Sequence, residues 1–206
     1  MATQPTDTRP DAIPQAMPGA NRGANQAATP ATGAAPLILT LQLGEPAQSL
    51  FQALRNRHFP RERNVVPAHV SLFHALPGSE RGSIVRVLRA LEADRPPVQI
   101  EAPRPLGRGV AFPLASPDLQ ALRGRLADAW SPWLTPQDRQ RFSPHVTVQN
   151  KVTPAEAAAT LDRLQQGFVP WRSEGVALLL WRYLDGPWEA LERFELHTPT
   201  TTGQRS

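Results

Sequence analysis

Apolar and polar residues follow two different periods along this chain, and each change of period marks an element. Leu37-Ile38-Leu39-Thr40-Leu41-Gln42-Leu43 is a short apolar run that reads as a strand. Pro46 opens a helix with Leu50, Phe51 and Leu54 on one face, ending near His58-Phe59-Pro60. A strand from about Ala68 to Leu76 is closed by Pro77-Gly78. The helix after it, capped by Ser79 or Ser83, carries Ile84, Leu88 and Leu91 at helical spacing until Pro96-Pro97. Val98–Glu101 and Val110–Leu114 read as strands on either side of a Pro/Gly-rich connection. Ser116-Pro117-Asp118 starts a third helix, with Leu119, Leu122, Leu126 and Trp130 on its inner side. A Pro-containing loop, Ser131 to Pro144, leads into another strand. Thr153-Pro154-Ala155-Glu156 then fits a capping box, opening a helix that buries Leu161 and Leu164 and ends near Gly167. Val176–Leu184 and Trp188–Leu196 form a last strand pair around Asp185-Gly186-Pro187.

Two of these strands carry the same four-residue pattern. His69-Val70-Ser71-Leu72 returns as His145-Val146-Thr147-Val148: histidine, apolar, hydroxyl, apolar. Side chains alternate faces along a strand, so each copy buries its apolar pair and presents an imidazole beside a hydroxyl. The order of elements repeats as well: motif strand, helix, two strands. Duplicated units of this kind pack about a pseudo-twofold axis, which brings both motif strands to one cleft. A histidine on a half-buried strand is more often structural than catalytic. The duplication with a matched hydroxyl shifts that balance for His69 and His145. His74 lacks a partner motif, and strict alternation puts it on the Val70/Leu72 face, so it reads as structural, like His58 and His197.

Composition narrows the chemistry. Residues 1–35 are rich in Pro, Ala, Gly and Thr with no aromatic, too little apolar surface to offset the entropy of ordering, and read as a disordered tail. Residues 198–206 read as a flexible terminus, leaving 36–197 as the folded unit. No cysteine is present, which excludes disulfides and thiolate metal sites and makes a cytoplasmic location the simplest expectation. Nothing resembles a secretion signal or a membrane span. The net charge is +4, and all but Lys151 of the 22 basic residues are arginine, without a consecutive basic block.

Pro67-Ala68-His69-Val70-Ser71-Leu72 and Arg141-Phe142-Ser143-Pro144-His145-Val146-Thr147-Val148 resemble the two motifs of the two-histidine (2H) phosphoesterase superfamily. The second is especially similar to its bacterial 2′-5′ RNA ligase and cyclic phosphodiesterase members. The resemblance implies a bilobal α/β fold, with two antiparallel sheets around a central cleft and helices outside. It implies metal-independent work on RNA-type phosphodiesters, either 2′,3′-cyclic phosphates or 2′-5′ linkages. By motif position His69 and His145 would be the catalytic pair, and Ser71 and Thr147 would bind the phosphate. The first motif has Ser where many members have Thr.

The groups themselves suit that chemistry. Histidine titrates nearest neutrality, so one imidazole can accept a proton from water while a protonated one donates to the leaving oxygen. Hydroxyls can donate to the non-bridging oxygens. Two histidines with no nearby Cys or carboxylate make a poor metal site, and no glycine-rich phosphate loop with a Lys is present, so neither metal nor ATP is expected as cofactor. The expected partner is an RNA or nucleotide phosphodiester, and the expected state is a monomer. Phe73, Trp181, Tyr183 and Trp188 are weaker candidates for a base platform, with core packing the commoner role; Arg108 and Arg141 are weaker candidates for a phosphate contact. The alternative to an enzyme is a module of the same fold that grips RNA ends or nucleotides without turnover.

Overall fold

A computed structural model describes residues 34–198. The expectations for the two tails fall almost wholly outside these residues. The chain runs β1 (Leu37–Leu43), α1 (Ala47–His58), β2 (Val70–Leu76), α2 (Arg81–Arg89), β3 (Pro97–Ile100), β4 (Arg104–Pro105), β5 (Val110–Ala115), α3 (Pro117–Ala129), β6 (His145–Gln149), α4 (Pro154–Gln165), β7 (Trp171–Tyr183) and β8 (Trp188–Glu195). It is a mixed α/β fold with four helices and an antiparallel sheet of eight strands, in the order β1-β2-β6-β5-β3-β7-β8, with β4 hung on β5. β7 is long enough to serve both lobes. Trp171–Glu174 pairs with β3, and Gly175–Arg182 pairs with β1.

The lobes meet where the motif strands meet. β2 and β6 pair antiparallel through Val70 and Val146. On their far sides Thr40 of β1 pairs with Ser71, while Ala111 and Pro113 of β5 pair with Thr147 and His145. Val70, Leu72, Val146 and Val148 are buried, so one face of the seam belongs to the core. α1 covers the core across the seam: Phe51 lies edge-on to Phe112 of β5 and stacks near Trp171 of β7. Because the apolar side of both motifs is fixed by this packing, their polar side is fixed too.

Local signals explain the starts of two of the helices. Ser116 caps α3, its hydroxyl accepting from Leu119 N–H at 3.1 Å, and the Thr153–Glu156 capping box forms in full at the start of α4. α2 departs from expectation. Glu80 holds its N-cap position, and neither Ser79 nor Ser83 makes a capping bond. On α1 the buried stripe is Ala47, Phe51 and Arg55, four residues apart, and Leu50 faces solvent. Leu161 and Leu164 are only partly covered; Thr160 is the buried residue of α4. β7 begins five residues earlier than its apolar run, since pairing with β3 carries it through Trp171–Glu174 and Gly175 opens its pairing with β1. No helix of the described residues is long and apolar enough to cross a membrane.

Gly109 marks a close approach beside the second motif. A Cβ there would fall 1.9 Å from the Gln149 carbonyl oxygen, whereas one at Gly82 on α2 would meet nothing within 4 Å. Gly109→Ala should therefore lower stability by about 1–3 kcal/mol through forced displacement of β5 from β6. Gly82→Ala should be neutral or slightly stabilising, by up to about 1 kcal/mol. Urea denaturation of the two variants checks the contrast.

Candidate active site

The register at the seam assembles the site. With Val70 opposite Val146 in an antiparallel pair, one step either way sets His69 beside Thr147 and Ser71 beside His145. All four side chains therefore share the face opposite the core, and all four are half-buried. The sequence-predicted histidines and hydroxyls come together on one sheet surface.

Each imidazole is held in the same way. Nδ1 of His69 lies 2.7 Å from the Pro67 carbonyl oxygen, and Nδ1 of His145 lies 2.8 Å from that of Ser143. A carbonyl only accepts, so both Nδ1 atoms carry the hydrogen and both Nε2 atoms carry the lone pair. Two residues back along the chain, the same anchor sets the same tautomer and tilt in both lobes. Burial pulls the pKa of His69 down to about 4. Its Pro67 hydrogen bond opposes that shift, and the charges of Arg55, His74 and His145 add to it. His145 is also lowered by burial, against the Ser143 hydrogen bond, with Arg104 and His74 contributing. Both imidazoles are neutral near pH 7 in the free protein.

Polar side chains of α1 set the approach to the first motif. Gln52 Oε1 accepts from Ala68 N–H at 2.8 Å, and Gln48 Nε2 donates to the Ala68 carbonyl at 2.8 Å. Arg55 is buried and joins both motifs: it donates to the Val66 carbonyl at 3.0 Å, the Thr147 carbonyl at 2.8 Å and Asn64 Oδ1 at 3.1 Å, with its guanidinium 4.3 Å from the Phe59 ring centroid. All three acceptors are neutral. Burial lowers the Arg55 pKa to about 10, which leaves it cationic beneath the motif strands.

Aromatic and basic side chains surround this centre. Trp188 faces His69 with ring centroids 5.1 Å apart, and Trp181, 6.1 Å from Trp188, donates Nε1–H to Thr40 Oγ1 at 2.9 Å. Phe73 is fully buried against Trp130 and packs as core. Arg108 is exposed and donates to the Val152 carbonyl, and Arg141 is exposed; neither hydrogen-bonds to a motif residue among the described residues. Besides Arg55, the arginine beside the second motif is Arg104. Its strand partner Ala111 is itself the partner of Thr147, and its guanidinium donates to Ser143 Oγ at 3.0 Å. One arginine among so many gives no sequence signal, and the two-residue strand that places it lies in a Pro/Gly-rich connection. His74 overturns the expectation of strict alternation. An irregularity in β2 buries Leu72 and Phe73 in succession and turns His74 out to the polar side. Among the described residues no three His, Asp or Glu side chains cluster closely enough to hold a metal ion.

The depressed histidines imply a sign for acid stability. Between about pH 6.5 and pH 4 the unfolded chain takes up a proton at position 69 that the folded protein does not bind, and the lowered pKa of His145 acts in the same direction, so stability falls as pH is lowered through this window. His69→Gln should flatten that fall, as measured by denaturant midpoints across the window; an unchanged slope would contradict the burial of His69.

Comparison with known proteins identifies the family. No curated protein sequence matches the chain. The crystal structure of E. coli LigT complexed with 3′-AMP superposes with a TM-score of 0.56 at 16% identity, covering 81% of this chain and 99% of that one. LigT complexed with NADP+ gives 0.55 at 16% identity, over 82% and 100%. The protein TT0787 of Thermus thermophilus gives 0.56 at 16% identity, over 80% and 100%. These likenesses establish the fold. The model of the 2′-5′ RNA ligase superfamily matches residues 43–187, a span that holds both motifs, and the chain belongs to that superfamily of 2H phosphoesterases.

Proposed function

We propose that residues 36–197 act, as a monomer, as a metal-independent phosphodiesterase on RNA-type phosphodiesters, opening a 2′,3′-cyclic phosphate or cleaving or forming a 2′-5′ linkage. The observation that carries this reading is the matched pair of imidazoles, each with Nδ1–H anchored on a carbonyl two residues back and Nε2 left for chemistry. The crystallisation of the similarly folded LigT with 3′-AMP and NADP+ supports a nucleotide-bearing ligand.

In the hydrolytic direction His69 serves as base and His145 as acid. His69 Nε2 takes a proton from water as the water oxygen attacks phosphorus. The P–O bond to one ribose oxygen breaks, and protonated His145 delivers its proton to that oxygen. One water is consumed, and the two imidazoles exchange protonation states. Ser71 and Thr147 donate to the non-bridging oxygens, and Arg55 adds positive potential from below. The bound phosphate's charge favours the proton that His145 must hold. General acid–base assistance is worth about 10² to 10⁴ per group. Trp188, against the His69 ring, offers a face on which a base can stack.

Two measurements test this reading. Purified protein should turn over 2′,3′-cyclic nucleotides or a 2′-5′-linked oligonucleotide in EDTA, and His69→Ala and His145→Ala should each lose at least about 10²-fold in kcat. Nucleotide binding without turnover would instead establish the binding-module alternative, and loss of turnover in EDTA would contradict the metal-free mechanism. The kcat/KM profile reports the free protein. Its acid limb should lie near pH 4, where His69 takes a proton, and its maximum below pH 6.5, because His145 must carry one and its pKa is lowered. An acid limb well above pH 4 would contradict His69 as the base.

A further inference from the structure

One buried acid plays no part in the scheme above. Asp138 lies in the loop before β6, and its side chain is 1% exposed. Its Oδ1 accepts from His74 N–H at 2.8 Å, and its Oδ2 accepts from Ala75 N–H at 3.1 Å and from Thr135 Oγ1 at 3.2 Å. Nδ1 of His74 stands 3.2 Å from Oδ1. Burial alone would raise the Asp138 pKa, but the His74 and Ala75 hydrogen bonds and the His74 charge outweigh it, and the carboxylate is held ionised below its usual range. Arg123 completes the surroundings, donating to the Asp138 carbonyl and lying over the Phe73 ring at 4.4 Å.

Two backbone donors tie this loop to β2 alongside the imidazole, and the same carboxylate orients the ring. Nδ1–H is given to a carboxylate, Nε2 is left on the other side, and the side chain is 44% exposed. The strand irregularity that re-aims His74 puts it on the face of Ser71, and its charge acts on both His69 and His145. The second lobe has no counterpart. Five residues after His69 stands His74, whereas five residues after His145 stands Asn150, whose Oδ1 accepts from the neighbouring Lys151 N–H.

We infer that His74 is a third imidazole of the site, contacting the substrate phosphate through Nε2 and fixing which way round the ester lies. A pseudo-twofold arrangement of two imidazole–hydroxyl pairs accepts a phosphodiester in two opposite orientations. A single oriented imidazole on one lobe removes that degeneracy and selects which ribose oxygen departs. The inference rests on the phosphodiesterase reading and names a specificity-determining residue for it.

The test uses the full chain with 3′-AMP as the binding probe and a 2′,3′-cyclic nucleotide as substrate. Imidazole nitrogen NMR of the wild type should show the Nε2 resonances of His74, His69 and His145 all moving in a saturable titration with 3′-AMP. His74→Gln keeps both backbone donors to Asp138. It should melt within a few degrees of the wild type, raise KM about tenfold with a smaller change in kcat, and increase the minor share in the 2′- to 3′-phosphate product ratio. A His74 resonance that stays fixed while those of His69 and His145 move, with wild-type KM and product ratio in His74→Gln, would overturn the inference and leave the phosphodiesterase reading standing. If no imidazole responds to the nucleotide and no substrate is turned over, the reading itself fails and the inference with it.

Discussion

The pairing of Val70 with Val146 is the constraint on which everything else here depends. It is the point of contact between the two motif strands, and its register decides that His69, Ser71, His145 and Thr147 share a face. A slip of one residue on either strand would send one imidazole and one hydroxyl into the core and two apolar side chains into the cleft. The core on the other side makes that slip costly. Val70, Leu72, Val146 and Val148 are all buried, and Phe51 binds the two lobes by packing on Phe112 and Trp171. The hydrophobic effect thus holds the register, and the register holds the chemistry.

Polar groups refine what packing sets. Gln48 and Gln52 fix the backbone of Ala68 one residue before His69, while Arg55 ties the Val66 and Thr147 carbonyls across the seam. Burying a guanidinium against neutral acceptors opposes stability, because desolvation is offset only by hydrogen bonds. The phosphate proposed for the far side of the motif strands would complement that charge. The same low polarity that lowers the histidine pKa values makes each hydrogen bond to a bound phosphate stronger than it would be in water. Site and scaffold share their energetics.

The strands and helices were legible because their periods are clean, and the motif pair was legible because it occurs twice. Alternation failed where geometry departs from an ideal strand. Phe73 and His74 exchanged faces through the irregularity in β2, a shift set by pairing with β1 that no local residue pattern announces. Leu50 and Arg55 exchanged roles on α1 for a different reason. The inward stripe is chosen by what it meets, and here it meets free carbonyls as well as apolar side chains. Arg104 and Asp138 carry no local sequence signal because their importance lies in distant partners, Ser143 and His74, joined to them only by the fold. Residue type and spacing disclose a duplicated centre; they do not disclose the asymmetric groups around it.

In the proposed chemistry His69 and His145 form one phosphate-binding centre. A crystal structure with a 3′-nucleotide bound tests it most directly. The phosphate should lie on the motif face, with Nε2 of both imidazoles within roughly 2.6–3.2 Å of its oxygens or one water away, and both Nδ1–H bonds to Pro67 and Ser143 intact. A phosphate bound elsewhere, or reached by only one of the two imidazoles, would contradict it.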